Sequence, residues 1–180
     1  AADRYFSALA RNPGDQSLVE GALVSSLASG DVERARRAAR LADRNDAPAY
    51  AHIVRAADAL IAQRYTQAST ELDRAQGTAA EELIARMVAN WASAGAGDSG
   101  GIAADLAPLA SIRPYGGLFA YQQAMVLDYA GQQSEALAAY NLAAQGGLWL
   151  PTGVSRHADL LLRSGQRDQA LALLSGDGTS

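Results

Sequence analysis

The stretch GLFAYQQAMVLDYAGQQSEALAAYNLAAQ, residues 117–145, decides the fold of this chain. Apolar residues recur at helical spacing in both of its halves, at Ala120, Ala124 and Leu127 and again at Ala136, Tyr140 and Ala143. Gly131 separates the halves, and glycine enters the left-handed conformation that ends a helix at little cost. The stretch therefore predicts two helices joined by a tight turn, the second beginning near Ser134. Helices this short are marginal in water on their own, so the pair must bury its apolar faces against neighbours.

The rest of the chain supplies those neighbours by repeating the pair. The slot of Ala136 recurs at intervals of 33 or 34 residues, at Ala1, Ala35, Ala68, Ile102, Ala136 and Ala170. Four residues beyond these positions stand Tyr5, Ala39, Leu72, Leu106, Tyr140 and Leu174. Five residues before all but the first stand Gly30, Gln63, Gly97, Gly131 and Gly165. A fixed period of this length indicates an array of similar helical hairpins.

The period and its slots resemble the tetratricopeptide repeat. That family places a small residue at the marker slot and a glycine before the second helix of each repeat, and Pro13 and Pro114 stand where it ends a repeat. The aromatic residue expected early in the first helix is missing, and its slot holds Val19, His52, Arg86, Ala120 and Val154. The resemblance implies an all-α fold, a right-handed α-solenoid of about five helix-turn-helix repeats preceded by a half repeat.

The resemblance also implies the domain organisation, a single solenoid over residues 1–180. It divides the chain into a half repeat at 1–14, full repeats at 15–47, 48–78, 79–114, 115–148 and 149–175, and a tail at 176–180. Pro108 falls inside the second helix of the third repeat, where it removes a backbone donor and predicts a kink or an early end. The chain begins inside a second helix that lacks its partner, which we interpret as a fragment of a longer protein.

Composition argues against several classes of function. The formal net charge is −4 and all 15 basic residues are arginine, so no basic domain for nucleic acid is evident. Without cysteine, the chain has no disulfide, thiolate metal site or cysteine nucleophile. Residues 136–155 lack charge, but Gly146, Gly147 and Pro151 interrupt them, and we expect no membrane insertion.

Two loop motifs suggest chemistry, and their context argues against it. Residues 97–101 spell GDSGG, as around the nucleophile of trypsin-like proteases, but they join two helices, and His52 and His157 lie in other repeats. Residues 95–100 fit G-x-G-x-x-G, yet a helical pattern precedes them where a dinucleotide site needs a strand. We therefore expect no enzyme activity, no catalytic residue, no cofactor and no metal site shared by the histidines.

In tetratricopeptide proteins, fixed positions on the first helix of each repeat face a concave groove that binds partner segments. Carried onto this chain, these positions imply an aromatic and methionine-rich groove of Tyr50, Ile53, Ile84, Met87, Trp91, Leu118, Tyr121, Met125 and Tyr129. They also place the polar residues Asp128, Ser155, Asp159 and Arg163 toward its C-terminal end. The alternative is that several of these residues only pack adjacent helices together. If they line a partner site, Trp91, Tyr121 and Met125 face solvent in the free protein.

An arginine-rich helix is the strongest local charge feature. Its basic residues are Arg34, Arg36, Arg37, Arg40 and Arg44. Glu33 and Asp43 interleave with them, which favours a solvated outer face. A phosphate-binding stripe is the alternative.

Taken with the groove, these features predict a non-catalytic scaffold that binds a protein or peptide segment. The alternatives are an accessory domain of a larger enzyme or polysaccharide-export machine, and a self-association module, since both ends of the solenoid look uncapped. The phrases YFSALARNPGD, GDVERA and NWASAGAGD also resemble long exported tetratricopeptide proteins of the Gram-negative cell envelope. That narrower resemblance implies a bacterial periplasmic location; a cytoplasmic location is the alternative.

Overall fold

The fold is all-α. A computed structural model describes residues 2–43, 46–147 and 150–176, and the regular elements within these ranges are eleven α-helices and one 3₁₀ turn. Internal contacts divide the chain into two compact units, Ala1–Ala96 and Gly97–Ser180, called unit 1 and unit 2 below. The predicted marker at Ala1, the basic Arg44 and residues 177–180 of the predicted tail lie outside the described residues.

Unit 1 consists of six helices. They are α1 Ala2–Leu9, α2 Gln16–Ala28, α3 Val32–Leu41, α4 Ala49–Ile61, α5 Tyr65–Leu72 and α6 Ala79–Gly95. Each helix packs against the next one in sequence, and in addition α2 contacts α4 and α4 contacts α6. Because α4 contacts both α2 and α6, these three helices form one row. Helices α1, α3 and α5 pack against this row.

Unit 2 contains the remaining helices and the 3₁₀ turn. They are α7 Ile102–Leu106, the 3₁₀ turn Ala107–Ser111, α8 Gly116–Tyr129, α9 Gln133–Gln145, α10 Pro151–Arg163 and α11 Arg167–Ser175. The pair α8 and α9 forms the centre of the unit, and α10 packs against both of them as well as against α11. Helix α7 ends at Leu106, and Pro108 lies in the 3₁₀ turn that follows it. The early end predicted for this helix at Pro108 is therefore confirmed.

The sequence period has a direct structural counterpart in buried marker residues. All five described markers are at most 1% exposed: Ala35, Ala68, Ile102, Ala136 and Ala170. Four of them are the fourth residue of their helix, in α3, α5, α9 and α11. A methyl group at this point lets each of these helices approach its partner closely, which explains why alanine recurs there.

The turn slot five residues earlier has the backbone conformation that the glycines predicted. Its φ angles are all positive: +72° at Gly30, +56° at Gln63, +83° at Gly97, +78° at Gly131 and +76° at Gly165. Gln63 is the one non-glycine residue with positive φ in the described part of the chain. The five turns therefore share one geometry, and one of them adopts it without glycine.

Tyrosine rings lie against glycines within helices at three places. A Cβ atom would lie 2.2 Å from the Tyr5 ring at Gly21, 2.2 Å from the Tyr65 ring at Gly95, and 2.6 Å from the Tyr121 ring at Gly153. No side chain larger than hydrogen fits under these rings as they stand. Each glycine thus allows an aromatic side chain of another helix to pack on the helix backbone.

Candidate partner-binding surface

The predicted groove residues of α8 form one stripe along that helix. Leu118, Tyr121, Met125 and Tyr129 follow one another at intervals of three and four residues, which places them on the same helical face. Leu118 is 38% exposed and Tyr129 is 60% exposed, while Met125 is half-buried. The two ends of the stripe therefore present apolar and aromatic surface to solvent.

Tyr121, in the middle of the stripe, is only 7% exposed, so the expectation that it faces solvent in the free protein is wrong. Its ring packs over Gly153 of α10, and its centroid is 6.3 Å from that of Tyr140. Its hydroxyl lies 3.2 Å from Thr152 Oγ1, within hydrogen-bond distance. Tyr121 is therefore a packing residue that joins α8 to the N-terminal turn of α10.

An ion-pair network continues this surface. Arg163 of α10 donates from Nη2 to Asp128 Oδ1 of α8 at 2.8 Å and from Nε to Asp159 Oδ2 at 2.9 Å. The Asp128 side chain is 6% exposed, and the hydrogen bond to this carboxylate raises the pKa of Arg163. Three of the four polar residues that the groove register predicted on these helices thus lie together, and Arg163 compensates a nearly buried carboxylate.

A pocket of about 480 Å³ opens on the first turns of α10. It is lined by Pro151, Thr152, Ser155, Arg156 and Asp159. Ser155 and Asp159 belong to the predicted groove, whereas sequence reasoning missed Thr152 and Arg156. Thr152 lies three residues before Ser155, and Arg156 lies three residues before Asp159, so helical spacing from the predicted pair was the available signal.

A buried aromatic pair lies between α9 and α10. The rings of Tyr140 and His157 stack with their centroids 5.1 Å apart and their planes 11° from parallel. Burial raises the pKa of Tyr140 and lowers the pKa of His157, because both charged forms are poorly solvated there. Among the described residues, neither the Tyr140 hydroxyl nor His157 Nε2 has a hydrogen-bond partner. His157 is thus held neutral within the packing of unit 2.

The predicted groove residues of unit 1 are half-buried, except Ile53, which is buried. Ile53 is 7% exposed and forms a cluster with Ala75 and Ala85, against which Tyr50 and Ile84 pack. For these three predicted residues, the contacts are those of helix packing. Met87 and Trp91, further along α6, are half-buried. Their groove role remains a prediction.

The loop that carries the GDSGG sequence shows a structural contact. The Gln132 side chain donates to the Ser99 carbonyl oxygen at 3.1 Å, which ties the loop to the turn between α8 and α9. His157 of the same unit is covered by Tyr140, as described above.

Residues 2–43, 46–147 and 150–176 contain no group of three or more histidine, cysteine, aspartate or glutamate side chains arranged to hold a metal ion. Within the same ranges, no helix combines the length and the apolar character needed to cross a bilayer.

Comparison of the chain with known proteins does not assign it to a family. No family model, curated protein or solved structure matches the chain at a significant level.

Proposed function

We propose that this chain is a scaffold of the tetratricopeptide type that binds a segment of another protein and catalyses no reaction. The support for repeats of this type is the shared register of five buried marker residues and five left-handed turns. The row formed by α2, α4 and α6 is the arrangement that such repeats use to line a groove.

The observation that carries the binding role is the continuous surface of α8 and α10 in unit 2. It combines exposed Leu118 and Tyr129 with the Asp128–Arg163 pair and a pocket of about 480 Å³ beside Ser155. Exposed aromatic and aliphatic side chains next to fixed polar groups are typical of surfaces that bind an extended or helical peptide. The partner segment is expected to place separate apolar side chains against Leu118 and against Tyr129, which lie at opposite ends of α8, and polar groups against α10.

A position-specific cross-link tests this role. A photo-reactive phenylalanine analogue replaces Tyr129, the protein is exposed to envelope and cytosolic fractions, and the cross-linked segment is sequenced and synthesised. The peptide should bind the wild-type chain, and Leu118→Ser should weaken binding by about 30-fold, as for a contact worth about 2 kcal/mol.

The matched control places the same analogue at Leu171 of α11, which is 54% exposed and outside the surface. Capture of the same segment from Leu171, or equal affinity of the Leu118→Ser variant, would contradict the proposed surface. Capture from the envelope fraction alone would support the periplasmic location. Capture of a second copy of this chain would favour self-association instead.

A further inference from the structure

The arginine-rich helix α3 contains one basic residue that has no partner among the residues that the structure describes. The others have interactions within unit 1: Arg34 with Asp3 at 2.6 Å, Arg36 with Asp58 at 2.5 Å, and Arg37 with the Phe6 ring at 5.4 Å. Arg40 is exposed, and no described carboxylate lies within ion-pair distance of it. Arg34, Arg36 and Arg37 thus interact with other groups of unit 1, whereas Arg40 faces solvent and pairs with no described carboxylate.

Arg40 lines a pocket of about 390 Å³ in unit 1 that α3, α4 and α5 enclose. Three more arginines line the same pocket: Arg55 of α4, Arg64 just before α5, and Arg74 just after it. Four arginines from four segments thus line one pocket of a chain whose formal net charge is −4. The segments are far apart in sequence, so the local arginine run on α3 does not by itself produce this cluster.

Neutral acceptors hold two of these arginines. Arg55 donates from Nε and Nη2 to the Ala39 carbonyl oxygen at 3.0 and 2.7 Å, and from Nη2 to that of Ala42 at 2.7 Å. Arg64 Nε donates to Gln67 Oε1 at 2.8 Å. The three bonds of Arg55 hold its guanidinium group in place, so part of its ordering cost is met before a ligand arrives. Neither set of acceptors carries a charge that would neutralise an arginine.

The acidic side chains of the pocket are engaged by groups that do not line it. Asp58 accepts from Arg36, and Glu71 Oε2 lies 2.8 Å from Nδ1 of the buried His52. An ionised carboxylate only accepts, so His52 donates from Nδ1. Four arginines therefore face two carboxylates, and the pocket has an excess of two positive charges. Arg74, like Arg40, has no acidic partner among the described residues.

We propose that this pocket binds a dianionic phosphoryl group, contacted by Arg40 and Arg74 and oriented by Arg55 and Arg64. Planar guanidinium groups match the oxygen spacing of phosphate and bind it through paired hydrogen bonds. A dianion matches the excess of two positive charges. The volume lies near the lower end of small-molecule pockets, which fits inorganic phosphate or a small phosphate monoester. The site is in unit 1 and does not depend on the peptide-binding surface of unit 2.

Calorimetric titration of the whole chain with inorganic phosphate and with glycerol phosphate tests the proposal. At pH 8 and low ionic strength we expect saturable binding of one anion per chain, weakened by added salt because the attraction is electrostatic. The double variant Arg40→Gln/Arg74→Gln should bind at least tenfold more weakly. Its melting temperature should be unchanged, because both side chains are exposed and have no acidic partner in the described part of the chain. Tighter binding of glycerol phosphate would identify an organic monoester as the preferred source of the phosphoryl group, and equal binding would identify phosphate itself.

The matched control is Arg4→Gln/Arg11→Gln, which removes two exposed arginines from the same unit but outside the pocket. It should retain wild-type affinity. The proposal is overturned if neither anion shows saturable binding, if the Arg40/Arg74 variant binds as the wild type does, or if the control loses affinity equally.

Discussion

Gln63 has a backbone conformation that its side chain disfavours. It has φ +56° in a turn slot where the other described repeats have glycine. A residue with a Cβ atom in the left-handed region is less stable by about 1–2 kcal/mol, whereas glycine gains flexibility in the unfolded chain that offsets part of this. We expect Gln63→Gly to raise the unfolding free energy by about 0.5–1 kcal/mol, measured by urea denaturation. The reverse change, Gly131→Ala at φ +78°, should lower it, and a destabilised Gln63→Gly variant would disprove the strain.

His157 should make the stability of the protein depend on pH. Burial lowers its pKa, while a histidine of the unfolded chain titrates near 6.5. As pH falls below 6.5, the unfolded chain therefore binds a proton that the folded chain does not, and the unfolding free energy decreases until the folded-state pKa is passed. Tyr140 stacks on the imidazole, and Asp128, Arg156 and Arg163 are charged groups that interact electrostatically with Tyr140.

The variant His157→Phe isolates this effect, because phenylalanine preserves the stack and cannot titrate, and His52 is retained. Urea midpoints measured from pH 7.5 to pH 5 should fall more steeply for the wild type than for the variant. Parallel pH profiles would show that His157 does not contribute.

At the scale of single residues, the sequence predicted what is decided locally. The burial of Ala136 and the left-handed turn at Gly131 follow from short patterns that each repeat carries. The burial of Tyr121 does not, because it depends on Gly153 and Thr152 some thirty residues later. Tyrosine has an apolar ring and a polar hydroxyl, so it occurs both on solvent-exposed surfaces and between packed helices. The residue type alone therefore does not predict which environment Tyr121 has.

At the scale of elements, the contact between α8 and α10 depends on the absence of a side chain at Gly153. An added methyl group would lie 2.6 Å from the Tyr121 ring, so either the ring or α10 must move. We expect Gly153→Ala to lower the unfolding free energy by about 1–3 kcal/mol, as overpacking typically does. Urea denaturation measures this. Gly101→Ala, where an added methyl group meets nothing within 4 Å, is the control and should be near neutral.

A double-mutant cycle separates this ring contact from the general effect of alanine in a helix. In a Tyr121→Ala background the ring is gone, and Gly153→Ala should then cost clearly less than in the wild type. Equal costs in both backgrounds would mean that the ring is not what excludes a side chain at Gly153.

The sequence predicted the helices well because their signals are strong and local. Asp31 caps α3 by accepting from the Arg34 backbone N–H at 3.0 Å, and Pro108 divides the short helix of the third repeat into α7 and a 3₁₀ turn. The second helix of the central pair begins at Gln133, one residue before Ser134, within the usual uncertainty of helix ends. Which residues meet across helices is a separate question, since it depends on residues distant in sequence.

At the scale of the whole molecule, the predicted groove positions lie in different environments in the two units. The slots on α8 and α10 bring Asp128, Asp159 and Arg163 together at the surface. Other slots of the same register, on α4 and α6, place Ile53 in a buried cluster with Ala75 and Ala85 and pack the half-buried Ile84 against it. The repeat spacing determines on which face of a helix a residue lies. It does not determine how closely the next helix packs on that face, which depends on the volumes of the side chains between them.

Truncating Tyr121 and Tyr129 on α8 shows which predicted groove residue binds a partner and which only packs helices together. Tyr121 is 7% exposed, and truncation of a buried aromatic side chain to alanine typically costs about 3–5 kcal/mol. Tyr129 is 60% exposed on the same face, so its truncation should cost well under 1 kcal/mol. Melting temperature and affinity for the cross-linked peptide are measured for Tyr121→Ala, Tyr129→Ala and Trp91→Ala.

Tyr129→Ala should keep a near-normal melting temperature and lose affinity by about 30-fold, because an exposed aromatic anchor acts mainly on the complex. Tyr121→Ala should show the opposite pattern. Its melting temperature should fall strongly, and its affinity per folded molecule should fall only to the extent that the loss of the ring displaces α10. Trp91, which is half-buried on α6, should show an intermediate loss of stability. If Tyr129→Ala binds the peptide as tightly as the wild type, the exposed end of the stripe is not the partner site, and the groove register describes only how the helices pack.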